Sequence, residues 1–293
     1  MATLKDIKRR IVGVKNTQKI TKAMKMVSAA KLRRAQTRIV NARPYVNRIS
    51  EMLSNLASEE EMATNPFFIQ RELKNVAVVV VTADRGLCGA FNNNIIKEAA
   101  RYIDEEINAE GLNAFVYCVG KKNADYFSRR NYNVIGKDVG LFSSLEYSSA
   151  LNISDYLVSE FSKETYDKVV IIYNEFISMI RQRIQVQQFL PIPVLSSSVE
   201  KPVQQPNYIF EPDSGSIFNY LIPKHLKAQV WRSLLESNAA ELGARMTAMD
   251  NATTNAQEMI RSLNLTYNKE RQAAITKEIL EIVSGANALK ASS

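Results

Sequence analysis

The sequence predicts a mixed fold: a central doubly wound α/β domain flanked by two long α-helices that pair as an antiparallel coiled coil. Three observations predict it. Gly and Pro number only 10 and 8 in 293 residues, and scarce breakers favour long helices. Near both ends of the chain apolar residues recur at alternating spacings of three and four, the heptad pattern of a coiled-coil seam. Between those ends, short β-branched runs alternate with helix-like segments, as in a parallel sheet with helical crossovers.

The N-terminal coiled-coil helix is expected over residues 1–58. Its seam reads Leu4, Ile7, Ile11 and Val14, then Leu32, Ala35, Ile39, Ala42, Val46, Ile49, Leu53 and Leu56. Pro44 is expected to kink this helix without ending it, because the seam continues in register beyond it. Between the two stretches the same frame places Gln18, Thr21, Lys25 and Ser28 at seam positions, while Ile20, Met24 and Val27 form a different stripe. Either the helix faces another partner there or the seam is locally loose, and the partner reading is favoured.

The α/β domain is expected over 74–200. Val76–Val81, Asn113–Val119 and Lys168–Tyr173 read as buried strands, since parallel strands covered on both faces are continuously apolar. Helix-like segments lie near 93–109, 121–130 and 147–165, and Arg183 to Leu190 is a candidate edge strand. Pro191, Pro193, Pro202 and Pro206 mark the way into a linker, 201–212. The C-terminal coiled-coil helix is expected over 213–289, with Asp213 or Ser214 as its cap and a kink or restart at Pro223. Its seam runs Leu242, Met246, Met249, Thr253, Ala256, Ile260, Leu263 and Tyr267, then slips by one position to Ile275, Ile279, Ile282, Ala286 and Leu289. At 1.5 Å per residue the two helices would be roughly 85 and 115 Å long. Pairing with each other is favoured over two separate partners because the ends are already tethered. A rod with a globular knob at one end is the expected outcome.

The net charge of +8 is concentrated. Residues 1–48 hold 14 Lys/Arg and one acid, Asp6; the remaining 245 residues carry 24 basic and 29 acidic groups. A block of +13 cannot balance itself through i,i+4 pairs, so an acidic partner is implied. Nucleic acid fits poorly, because residues 1–60 contain a single aromatic, Tyr45, and so no base-stacking set. A membrane surface fits poorly because the apolar stripe is already used as a seam. An acidic protein surface fits best. No apolar run reaches the length of about 18 residues that a bilayer span needs. Met1–Lys5 lacks a signal-peptide apolar stretch, and the chain is read as mature and cytoplasmic.

Chemistry is sparse. The loop Thr82–Gly89 follows the first strand and leads into a helix, where phosphate can be cradled. It lacks both the Gly-Lys-Ser/Thr ending of a P-loop and the three glycines of a dinucleotide loop, so a tight strand-to-helix turn is the favoured reading. Asp84 and Arg85 in it are more often a surface ion pair than an acid and a clamp. Cys88 and Cys118 are read as reduced, mostly buried thiols, and two cysteines with one histidine make no ordinary zinc site. His225, after Pro223-Lys224, is expected to be an exposed helix residue. No catalytic, cofactor or metal residues are assigned. A basic coiled-coil nucleic-acid binder and an α/β enzyme with helical arms are the alternatives.

The run Ile7 to Leu32 closely resembles the N-terminus of gamma subunits of bacterial F-type ATP synthases. Ala42-Arg-Pro-Tyr45, the Thr82–Gly89 loop and Tyr208–Asp213 look like further parts of that family, and Tyr267 to Ala286 is close to its signature. The resemblance spans the chain in order. It implies the central rotor shaft of a proton-translocating ATP synthase, without an active site of its own, inside a ring of three alpha and three beta subunits. The epsilon subunit and the membrane c-ring would be its other partners, and no nucleic acid is expected. ATP, ADP and Mg would be bound by alpha and beta, and no cofactor by this chain. Its place would be peripheral, on the cytoplasmic face of the bacterial inner membrane. The residues implied in contact with beta and the ring are Lys19, Lys22, Met24, Lys25, Arg245, Gln272 and Thr276. Those implied in an apolar bearing are Ile279, Ile282, Ala286 and Leu289. The family's light-regulated cysteine insert is missing, which argues against the chloroplast form.

Overall fold

A computed structural model of the chain describes residues 3–57, 59–193, 211 and 213–291, and side chains outside 59–61, 285–286 and 288–291. The chain divides into two compact units, Met1–Val27 with Met246–Ser293 and Ser28–Arg245. Two helices, α1 (Leu4–Leu56) and α6 (Ser214–Ala291), contribute residues to both.

In the unit Ser28–Arg245 a five-stranded sheet is built from β1 (Asn75–Val81), β2 (Asn113–Val119), β3 (Asn133–Asp138), β4 (Lys168–Phe176) and β5 (Gln182–Leu190). Its order is β3-β2-β1-β4-β5. The first four strands are parallel, and β5 returns antiparallel to β4 at the edge. Short helices connect them: α2 (Glu59–Thr64) before the sheet, then α3 (Phe91–Arg101), α4 (Lys121–Ser128) and α5 (Tyr147–Ser162). α3 runs on through a π-helical turn at Tyr102–Ile107 and a 3-10 turn at Asn108–Glu110.

Both faces of β1 are covered, which is why it reads as an unbroken apolar run. Val76, Val78 and Val80 share a core with Ile95, Ala99 and Ile103 and with α4's Ala124 and Phe127. Ala77, Val79 and Val81 belong to the opposite core, with α5 (Ile153, Leu157, Phe161), α1 and α6. Gly120 holds the turn from β2 into α4 at φ +100, where a Cβ would run into the carbonyl of Thr82. Among the described residues β3, the short α2 and a 3-10 turn at Leu141–Ser143 were not foreseen. β3 is a half-buried edge strand containing Gly136, Lys137 and Asp138, so it lacks the apolar run that marks its neighbours.

Within this unit the α1 seam is buried as the heptads predict. Leu32, Ala35, Ile39, Val46, Ile49, Leu53 and Leu56 are all core. Pro44 and Pro223 lie inside uninterrupted helices; each removes one backbone donor, a cost the surrounding packing outweighs. Asp213 caps α6, its carboxylate accepting from the backbone N–H and hydroxyl of Ser216. The linker expected at 201–212 lies outside the described residues but for Glu211.

In the unit formed by Met1–Val27 and Met246–Ser293, the two helices pair antiparallel. Thr21 Oγ1 lies 2.8 Å from Thr253 Oγ1, and Lys25 Nζ donates to Asp250 Oδ1 at 2.6 Å. Thr3 and Asp6 form a reciprocal cap at the start of α1, each side chain accepting the other's backbone N–H. Ile7 and Ile11 are buried on α1, Met249 and Ala256 on α6.

Candidate functional site

The paired helices of the smaller unit are where the sequence placed most of the contact residues. Their seam does not change frame. Gln18, Thr21 and Lys25 are half-buried or buried, so the heptad frame of Leu4–Val14 persists and is filled with polar groups. The stripe of Ile20, Met24 and Val27 is not an alternative seam. Ile20 and Val27 are 60% and 56% exposed, and Val12 and Met26 are exposed as well. Met24 is half-buried, while Lys19 and Lys22 are exposed beside it.

The expected slip of the α6 seam is also corrected. The half-buried positions continue as Ile260, Leu263, Tyr267, Glu270 and Ala274, the unbroken 3-4 repeat. Ile275, Ile279 and Ile282 are exposed, as are Leu280 and Val283. Register explains this. Thr21 opposite Thr253 and Lys25 opposite Asp250 put Leu4, the first residue of α1, near residue 270. α6 continues to Ala291, past the start of its partner helix, and its apolar residues there have no seam to enter. Gln272 and Thr276 are exposed on the same stretch. The side chains of Ala286 and Leu289 lie outside the described residues.

Charge follows the division. Residues 1–27 carry eight Lys/Arg and one acid, and residues 246–293 carry five of each, so this unit holds +7 of the net +8. The apolar side chains exposed on α1, Val12, Ile20, Met26 and Val27, therefore stand among uncompensated cations, whereas those exposed on α6 stand among balanced charges.

Arg245 belongs to the larger unit and is engaged there. Its Nε donates to Glu241 at 2.6 Å and its guanidinium to the carbonyls of Gly86 and Arg85. This ties the Thr82–Gly89 loop to α6. Asp84 in that loop accepts the backbone N–H of Lys121 and Gly140, joining the loops that follow β1, β2 and β3. The loop is thus a structural crossing, with positive φ at Leu87 and Gly89. Cys88 and Cys118 are free and buried. Burial pushes the Cys88 thiol up and Cys118 up to about 12, the wrong direction for a nucleophile. Among the described residues no group of His, Cys, Asp or Glu could hold a metal ion, and no helix is long and apolar enough to cross a membrane.

Among the buried polar groups of α6 that were missed are His225 and Glu236. His225 is 1% exposed, not a surface residue. Its Nε2 lies 2.6 Å from the Gln229 side-chain amide and its Nδ1 3.4 Å from Ser50 Oγ, and desolvation lowers its pKa to about 4. Glu236 is fully buried. Its Oε1 accepts from Arg43 Nε and Nη2 at 3.1 and 2.9 Å, and its Oε2 accepts the backbone N–H of Phe176. One carboxylate therefore joins α1, α6 and the end of β4.

A sequence model described as ATP synthase matches residues 3–289. The chain belongs to the ATP synthase gamma chain family. It is 50% identical over 293 residues to the ATP synthase gamma chain of Chlorobaculum parvum, covering 99% of this chain and 100% of that one. With the gamma chain of Chloroherpeton thalassium it shares 48% identity over the full length of both. Among solved structures, a chain of the Tetrahymena thermophila mitochondrial ATP synthase central stalk and c-ring is 27% identical, with a TM-score of 0.62 over 80% of this chain and 99% of that one. A chain of the Euglena gracilis mitochondrial ATP synthase, 19% identical, shares the fold at a TM-score of 0.69 over 99% and 95%. Family membership gives the exposed cationic and apolar surface of α1 and α6 a context: this is a subunit of a larger complex.

Proposed function

We propose that this chain is the non-catalytic central shaft of a proton-translocating ATP synthase. It would couple proton flow through the membrane sector to ATP synthesis or hydrolysis in a surrounding ring. The full-length family match over residues 3–289 carries the reading. The paired helices of the smaller unit support it, with +7 charge and apolar residues turned outward. An acidic surface of the ring, supplied by three alpha and three beta subunits, is the partner this chemistry fits. ATP, ADP and Mg would be bound by those subunits. The epsilon subunit and the c-ring complete the partner set, and the complex would hold the chain peripherally on the cytoplasmic face of a bacterial inner membrane.

Within that reading, Lys19, Lys22, Met24, Gln272 and Thr276 are the residues offered to the ring, and Ile279 and Ile282 the ones offered to an apolar bearing. Lys25 and Arg245 are first engaged inside the chain, by Asp250 and by Glu241, and would have to exchange or share those partners. Purification of the tagged chain from its native membranes tests the proposal. Two larger nucleotide-binding chains, each in threefold excess and with ATPase activity, are expected to accompany it. A lone chain, or one carrying nucleic acid that salt removes, would refute it.

A further inference from the structure

Three elements of the larger unit meet at one side chain. Glu236 stands on α6 and is fully buried. Its two oxygens face different elements. Oε1 accepts from Arg43 Nε and Nη2 of α1 at 3.1 and 2.9 Å, and Oε2 accepts the N–H of Phe176, the last residue of β4, at 3.1 Å. β4 is paired on both sides, parallel to β1 and antiparallel to β5, so a force arriving at Phe176 is shared by the sheet. Arg38 and Ser50 of α1 also cross to neighbouring elements, but at longer range, 3.3 Å to the Leu145 carbonyl and 3.4 Å to His225 Nδ1.

Two details set this junction apart from ordinary core packing. Pro44, next to Arg43, gives α1 no N–H for the carbonyl of Val40. The helix is thus tied to its neighbours where its own bonding is interrupted. On α6, Arg232 Nε is buried without a hydrogen-bond partner, 3.9 Å from the same Glu236 Oε1. Two cations therefore border one oxygen. Arg232, one turn away on the same helix, is placed to satisfy the carboxylate within α6. Bonding Arg43 instead leaves Arg232 Nε unpaired and makes the bond one between helices.

Such a bond resists a different kind of displacement from the seam around it. Apolar burial is non-directional; it holds α1 and α6 against the core and opposes a turn about the helix axis only through the fit of side chains. A charge-assisted hydrogen bond is short, strong and directional, so it opposes sliding and turning directly. In the shaft reading the ring takes hold of the helices of the smaller unit, which leaves the larger unit to the membrane sector. Work then passes between the sheet and the helices α1 and α6. Resting on that reading, we propose that Glu236 and Arg43 form the joint that carries this turning force, Glu236 linking the sheet to α6 and Arg43 extending the link to α1. Both are positioning residues that act on coupling and touch no substrate.

The assembled enzyme in inverted native-membrane vesicles is assayed for ATP hydrolysis and for protons pumped per ATP hydrolysed. Arg43→Gln removes the charged donor of α1 and leaves Arg232 beside the carboxylate. Hydrolysis should persist, while pumping per ATP should fall by about twofold or more with the loss of a charge-assisted bond. Arg43→Lys keeps a charged donor and should recover most of the ratio. Leu53→Ala removes fully buried packing from the same core; it should cost more stability yet pump as the parent does for each ATP. With the ring immobilised and ATP withheld, a probe on the larger unit should show a wider spread of angles in Arg43→Gln than in the parent. A ratio unchanged in Arg43→Gln, or lowered as much by Leu53→Ala, overturns the proposal and leaves the shaft reading standing. A lysine that fails to restore the ratio also overturns it, and decides the matter even if Leu53→Ala does not assemble. A parent chain that brings no ATPase ring with it overturns both.

Discussion

The same two helices, α1 and α6, are joined by different chemistry in the two units. In the larger unit the α1 seam is Leu32, Ala35, Ile39, Val46, Ile49, Leu53 and Leu56, all buried in a core shared with the sheet. In the smaller unit the facing positions include a threonine pair and a lysine–aspartate pair, with apolar side chains turned to solvent. Burial of apolar area is the dominant source of stability, whereas exposed ion pairs contribute little. A hydrogen-bonded pair on a seam fixes register more than it adds stability. The contrast teaches a division of labour: one stretch anchors the helices to a fold, while the other keeps them in register and leaves its apolar groups for a partner.

The comparison is broken most forcefully at Leu53, which is fully buried. Leu53→Ala should cost about 4 kcal/mol, transfer and cavity terms together, read from chemical denaturation of the full chain. Equal loss from Leu265→Ala, at a position 66% exposed in the smaller unit, would contradict the contrast. Hydrogen exchange should agree, with amides of α1 before residue 28 opening at lower free energy than those after it.

Next in size is a pH effect confined to the larger unit. His225 is held neutral, its folded pKa of about 4 lying below the ordinary 6.5. Its stabilising contribution is therefore complete above pH 6.5 and is lost as pH falls from there through about 4. The full loss is about 3 kcal/mol by linkage. Burial raises the pKa of Glu241, which contributes with the opposite sign, stability being lost as pH rises. The difference between the parent and His225→Leu isolates the histidine. Its slope should flatten in that window, and parallel curves would show that the imidazole does not titrate there.

Glu236 comes third. Glu236→Gln keeps the shape but puts an amide where two acceptors serve Arg43 and the Phe176 N–H. Arg43 is 44% exposed and can be rehydrated, so a loss of about 2 kcal/mol is expected rather than the larger cost of a fully buried orphan charge. Denaturation should show the loss together with faster exchange of the Phe176 amide.

How much of this was legible in the sequence depended on whether a position's neighbours were local. The apolar heptads of α1 and the β-branched runs of β1, β2 and β4 announce themselves. The polar part of the seam did not, because a heptad reading counts apolar residues, and Thr21 or Lys25 at a seam position looks like an interruption. The apparent slip at Ile275 has the same origin: apolar residues were followed, whereas the partner helix had ended. Glu236 was hidden because α6 there is enclosed on successive positions, Ser233 to Ser237 and Ala239 to Leu242, and periodicity carries no signal when every face is covered; His225 was hidden because its polar side chain beside Pro223 and Lys224 reads as a surface residue. The contact residues came from resemblance alone, since exposure on a charged helix has no pattern of its own.

The smallest expected effect sharpens the contrast best. The hydroxyls of Thr21 and Thr253 lie 2.8 Å apart across the seam, and each also has a carbonyl of its own helix within reach, Gln18 and Met249; with one proton apiece, one hydroxyl donates across the seam and the other to its own helix. Thr21→Val or Thr253→Val alone removes one bond and leaves the other hydroxyl satisfied locally, so each should cost less than about 1 kcal/mol. The double variant replaces both by apolar groups of the same shape, a change that is nearly neutral or stabilising, with a coupling energy of about 0.5–1 kcal/mol across the cycle. If the pair is there for register, the double variant should keep its melting temperature while a cysteine pair placed one heptad out of register, at Gln18 and Met249, begins to cross-link. A double variant that loses stability outright would mean that this stretch is held as the larger unit is, and the two seams would differ only in composition.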